Sequence, residues 1–160
     1  MFIGPVYTLK NNGVSISTAI TVLQLLAGTA GPVEVLRASL TQATSTTSTQ
    51  VQAGVIRKSA AATVTAATAG TTLLKQNPVA PTSNANLGVT ATGITATAEG
   101  TNGERTSERG FNILNGYEYL STPEERILAP QAGILALTFL TAPPSATWLG
   151  EICFRELRGG

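Results

Sequence analysis

Histidine is missing from the 160 residues, aspartate is missing as well, and cysteine occurs once, at Cys153. These gaps remove most catalytic machinery, since a Ser–His–Asp triad, a Cys–His pair, a histidine zinc site and an aspartate-rich calcium loop all need residues that are absent. What survives is a pair of glutamates acting as acid and base, or a lysine nucleophile in an apolar pocket. Glu124 and Glu125 are the obvious couple, yet they follow Ser121-Thr122-Pro123, a turn or helix start in which proline takes the first position and acids favour the N-terminal dipole. Adjacent side chains also point in different directions and cannot flank one substrate bond. The expectation is a protein without enzymatic activity, cofactor or metal.

Charge is scarce too. Charged residues make up 12% of the chain where about 25% is usual, and Thr, Ala, Ser and Gly fill the gap. With a net charge of +1 and no basic run beyond Arg57-Lys58, nothing resembles a phosphate-binding stripe, so no nucleic-acid partner is expected. The longest apolar runs, 20–27 and 134–141, fall well short of the roughly 18 residues that span a bilayer, so no membrane role is expected. Residues 1–12 lack a basic start followed by an apolar stretch and a small-residue cleavage site, which favours function without export. A lone cysteine excludes an intrachain disulfide, and the apolar run around Cys153 marks it as a buried small hydrophobe. Aromatic residues amount to 5%, and Tyr117, Tyr119 and Trp148 are too scattered for a base-stacking platform; they read as anchors of a core or a subunit contact.

What the chain does contain is short runs of β-branched and apolar residues broken by Gly, Pro, Asn and Ser, the pattern of strands separated by turns. Strands are expected at 32–41, 50–58, 63–65, 88–99, 111–120, 126–128, 133–140 and 146–157, with the Thr/Ser-rich residues 43–49 as a connecting loop and turns after Asn77-Pro78 and Ala80-Pro81. Residues 17–27 are ambiguous, because Ile20, Leu23 and Leu26 suit a helix while Ile20, Val22, Gln24 and Leu26 alternate; the Thr-rich, β-branched surroundings favour a strand. Residues 99–110 hold Glu99, Glu104, Arg105, Glu108 and Arg109 among glycines and read as a protruding charged loop. The result is an all-β chain of eight or nine strands with little helix, a single-domain β-sandwich or jelly roll, with 1–30 as an N-terminal arm and first strand and 31–160 as the body.

Several segments together resemble a known group. They are Val33-Glu34-Val35-Leu36-Arg37-Ala38, the following Thr41-Gln42-Ala43-Thr44-Ser45-Thr46-Thr47-Ser48 and Gln50-Val51-Gln52, then Gly110-Phe111-Asn112-Ile113-Leu114-Asn115-Gly116-Tyr117-Glu118-Tyr119, Pro123-Glu124-Glu125-Arg126 and Gly133-Ile134-Leu135-Ala136-Leu137. Across about residues 30–157 the chain is similar to small head decoration, or cement, proteins of tailed bacteriophages, which have a jelly-roll fold. The resemblance implies a homotrimer bound to the major capsid protein on the outside of the virion head, assembled in the host cytoplasm; it carries over no ligand residues. Contacts are expected before residue 17, with Phe2 and Tyr7, in the charged segment, with Glu104, Arg105 and Arg109, and at Tyr117 and Tyr119. The competing reading is a carbohydrate- or receptor-binding sandwich of a phage tail or surface appendage, for which Tyr117-Glu118-Tyr119 offers aromatics beside an acid.

Overall fold

The computed structural model describes residues 4–157. Thirteen strands are present among them: β1 (Val6–Lys10), β2 (Val14–Ile16), β3 (Thr21–Leu26), β4 (Val33–Gln42), β5 (Gln50–Ala60), β6 (Thr63–Ala66), β7 (Leu73–Lys75), β8 (Gly93–Ala98), β9 (Thr101–Asn112), β10 (Tyr117–Leu120), β11 (Leu128–Ala129), β12 (Ile134–Phe139) and β13 (Ala146–Glu156). They form two antiparallel sheets stacked as a β-sandwich. The first runs β10-β4-β13-β1-β7, with β11 on β4 and β2 on β13; the second runs β6-β8-β3-β12-β5-β9.

The expected all-β sandwich is therefore present with thirteen strands in place of eight or nine. The surplus consists largely of short strands at the N-terminus and along the first sheet's edges. Within residues 4–30, β1 lies between β13 and β7 while β3 lies between β8 and β12, so this stretch supplies both sheets. Within 88–99 only Gly93–Ala98 is a strand; a turn closed by the Ala91 N–H on the Gly88 carbonyl precedes it. Residues 111–120 are split by a turn in which Asn115 N and Gly116 N donate to Asn112 O, and Gly116 takes φ +75°, a conformation glycine adopts without a Cβ penalty.

Within residues 17–27, Thr21–Leu26 form a strand, and a bulge explains the helical look of the stretch. Leu23 faces Leu137 and Thr21 faces Thr138, so Val22 is an extra residue in the ladder and both Val22 and Leu23 turn into the core. The outer face of β3 is covered as well. The Gln24 amide accepts from Ala62 N at 2.8 Å and donates to the carbonyls of Ala62 at 3.1 Å and Ala91 at 2.7 Å, which satisfies a fully buried polar side chain.

Between the sheets, alternate residues of the long strands interdigitate. Trp148 on β13 meets Phe139 edge-on at 4.7 Å and Phe111 at 6.5 Å, and Tyr7 packs on Phe154 at 5.7 Å. The long connection through residues 77–92 is pinned at one end of the sandwich. The buried Glu156 carboxylate accepts from Ser83 Oγ at 2.5 Å, Asn84 N at 2.6 Å and Ala85 N at 3.2 Å, and the Tyr7 hydroxyl donates to Pro81 O at 2.8 Å.

Candidate interaction surfaces

The charged segment is a strand. Residues 101–112 form β9, the outermost strand of the second sheet, paired with β5 from Gln50↔Asn112 to Ala60↔Thr101 through several bulges. Composition misled here because glycines and charges signal a loop, whereas both also suit an edge strand that must twist and stay soluble. Gly54 has a direct role: a Cβ there would lie 2.3 Å from Ser107 O, so only glycine lets β9 approach at the bulge. Glu104, Arg105 and Arg109 are exposed along this edge. Glu104 pairs with Arg57 of β5, and Arg105 lies 3.2 Å from Glu108.

Three other anticipated contact residues lie elsewhere. Tyr7, Tyr117 and Tyr119 are only 1%, 2% and 7% exposed, because each sits on the inward phase of its strand, opposite Phe154, Leu40 and Ala38 respectively. They hold the core together and present no surface to a partner; burial also pushes the Tyr117 hydroxyl pKa up, against the partial offset of its bond with Ser107. Of Tyr117-Glu118-Tyr119 only Glu118 faces solvent. Phe2 lies outside the described residues. Glu124 and Glu125 lie on a single exposed 3₁₀ turn, Pro123–Glu125, as the proline pattern implies.

Comparison with known protein families, characterised proteins and solved structures gives no match. The surfaces must therefore be judged on their own chemistry.

Cys153 corrects a further expectation. Its neighbours Ile152 and Phe154 point into the core, so the period of two turns Cys153 outward, between Thr8 of β1 and Arg37 of β4, where it is half-buried. Partial burial raises the thiol pKa, more than the Thr8 hydrogen bond and the Arg37 charge lower it. We expect slow labelling by a thiol reagent at neutral pH, and Cys153→Ser to shift the urea unfolding free energy by less than about 1 kcal/mol, because the replacement sits among polar neighbours.

Two features escaped the sequence. The first is an apolar strip where β10 and β11 both flank β4: Leu120 is 70% exposed and Leu128 43%, both on the outward phase, opposite Arg37 and Glu34. Beside them a shallow groove of about 560 Å³ is lined by Pro32, Arg57, Leu128, Pro130 and Gln131. The alternation Tyr117-Glu118-Tyr119-Leu120 was a usable signal, since it puts Leu120 in phase with Glu118.

The second is a polar cluster on the outer face of the second sheet. Lys58, whose side chain is 0% exposed, donates to Glu99 at 2.8 Å. The same carboxylate takes the backbone N–H of Thr21 and, at 2.8 Å, its hydroxyl, which lies 3.3 Å from the Thr138 hydroxyl. Burial alone would raise the Glu99 pKa; the hydrogen bonds from Lys58 and Thr21, with the Lys58 charge, bring it below the ordinary carboxyl value. Every strong acceptor here is committed to fastening strand β3 to the β8–β9 connection, which marks the cluster as a clamp.

Proposed function

We propose that the protein is a non-enzymatic structural component of a phage head, docking as a homotrimer on the outer surface of the major capsid protein and reinforcing the shell. The observation that carries this reading is the exposed Leu120–Leu128 strip on a two-sheet sandwich whose surface holds few charges. Exposed leucines near a groove are a usual mark of a protein contact, and the charges around them are already paired within the chain, Arg37 with Glu151 and Glu34 with Arg126 and Arg155. The choice of partner comes only from the resemblance of the sequence segments between residues 30 and 157 to head decoration proteins. Tyr117 and Tyr119 are in the core, so the sugar-binding reading loses the aromatic platform on which it rested.

Rigidity and contact area are what such a role demands, and a symmetric oligomer adds avidity. If each arm binds with a dissociation constant of about 10 µM and the second arm acts at an effective concentration near 1 mM, assembled heads gain roughly a hundredfold over free subunits. The test is to mix the protein with undecorated expanded heads and with unassembled capsid subunits, following co-sedimentation and the temperature at which heads rupture. Binding to heads with a raised rupture temperature is expected, only weakly reduced by salt. Leu120→Glu with Leu128→Glu should weaken binding about tenfold or more while leaving the unfolding midpoint nearly unchanged, because neither side chain belongs to the core. Failure to bind heads, or binding without a change in rupture temperature, would favour the tail or receptor-binding reading.

A further inference from the structure

We propose that two copies of this chain pair edge to edge through β9, antiparallel about a two-fold axis between Thr106 and Ser107, merging their second sheets into one continuous sheet. This does not rest on the head-docking reading; it follows from the edge itself. β9 spans twelve residues, pairs with β5 on one side and has no strand on the other among the described residues. Such a row of outward backbone groups is a template for another strand, and proteins ordinarily protect it with charges that repel a partner.

The charges on β9 do the reverse for one partner, a copy of itself. The sequence Gly103-Glu104-Arg105-Thr106-Ser107-Glu108-Arg109-Gly110 changes sign on reversal. Laid antiparallel about its centre, Glu104 meets Arg109 of the second copy and Arg105 meets Glu108, each twice by symmetry, while Gly103 meets Gly110 and leaves the ends uncrowded. Facing strands bring directly opposed side chains together on the same face, so opposite charges there attract and like charges repel.

Pairing also requires that opposed residues share a face, and the bulge at Thr106 supplies this. Ser107 faces Val55 and Arg109 faces Ala53, both core-side residues, whereas Arg105 faces Ile56, which points to the outer face. The register slips by one residue between Val55 and Ile56, so Arg105 and Glu108 both lie on the outer face, consistent with their 3.2 Å contact; a second slip, between Ile56 and Lys58, falls at Gly103–Glu104, the end of the paired segment. Glu104 lies on the opposite side with Arg109, where it meets Arg57, a residue opposed to the core-side Leu135. A regular strand would put the members of each pair on opposite faces. The exposed Arg57–Glu104 and Arg105–Glu108 contacts within one chain cost little to share or exchange.

The experiment measures mass by sedimentation velocity and native mass spectrometry at low and high salt. A monomer at high salt should become two chains at low salt, and a trimer, which carries three such edges, should grow to six chains or more; the trimer reading and this one therefore fail separately. Glu104→Arg with Glu108→Arg makes the edge wholly positive, and Arg105→Glu with Arg109→Glu makes it wholly negative. Each variant alone should self-associate about tenfold to a hundredfold more weakly than the wild type, and an equimolar mixture should restore doubling with one edge of each kind. Amide hydrogen exchange on the unaltered protein provides a readout independent of any variant: the outward N–H groups of β9 should be protected at low salt and exposed at high salt. No doubling of the wild type, single-sign variants that pair as well as the wild type, or β9 exchange indifferent to salt would each overturn the proposal.

Discussion

Trp148→Ala is expected to destabilise the protein by about 3–5 kcal/mol, a large share of the total for a domain of this size. Trp148 is fully buried toward one end of the sandwich, opposite Gln42 at the end of β4, with Phe139 edge-on on the β12 side and Phe111 from the end of β9 closing over it. Its removal would leave a void bounded by two sheets that cannot collapse together, since β13 is hydrogen-bonded along both edges, to β4 and to β1 and β2. Trp148→Phe should cost markedly less. The indole Nε1 is buried without a hydrogen-bond partner among the described residues, so the smaller ring forfeits volume and no bond. Urea unfolding of the three proteins, followed by circular dichroism, checks the ranking; equal costs for Ala and Phe would show that this is not a packed site.

The second large effect is expected at the clamp. Glu99→Ala leaves the ammonium of Lys58, with no exposed side-chain surface, deprived of its carboxylate, and also frees the Thr21 N–H and hydroxyl. Breaking one side of a buried pair in this way costs about 3 kcal/mol, the lower end of the usual range because Glu99 itself is about a third exposed. Replacing both members, Lys58→Met with Glu99→Leu, should recover part of the loss, because no charge is then stranded while the Thr21 N–H and hydroxyl still lack their acceptor. The pH dependence carries the same signature. Folding holds the Glu99 pKa below its ordinary carboxyl value, so this group's stabilisation is complete at neutral pH and is lost as pH falls through the folded-state pKa. Glu99→Ala should therefore show a flatter decline of stability on acidification than the wild type, measured as unfolding free energy against pH.

Much of the architecture was legible because strands announce themselves locally. The stretches 32–41 and 50–58 alternate, and 133–140 and 146–157 are rich in core residues; they became β4, β5, β12 and β13, strands inside the two sheets. Residues 17–27 were harder, since the extra residue Val22 breaks the period of two that identifies a strand. The short strands β2, β7 and β11 carry too few residues to show any period; they exist because a neighbouring long strand offers backbone groups to pair with.

Contact residues were read less well than strands, for a physical reason. An aromatic such as Tyr117 is equally at home in a core or at an interface, and nothing local distinguishes the two; the pairing of Tyr117 with Leu40 across the inner face decides it. The charged run had the opposite difficulty. Its composition announces exposure correctly, but whether an exposed segment is a loop or an edge strand depends on the existence of β5 beside it, some fifty residues earlier in the chain.

By itself, then, the amino-acid sequence determined the class of this protein: a chain with few charges and Thr-rich alternation folds into sheets, since residue type and period act over a few neighbours at a time. Only the tertiary structure decided which phase of each strand meets the core, that β9 forms an edge, and that Lys58 meets Glu99. Those depend on register between strands far apart in the chain, where a slip of one residue would exchange every inward side chain for an outward one.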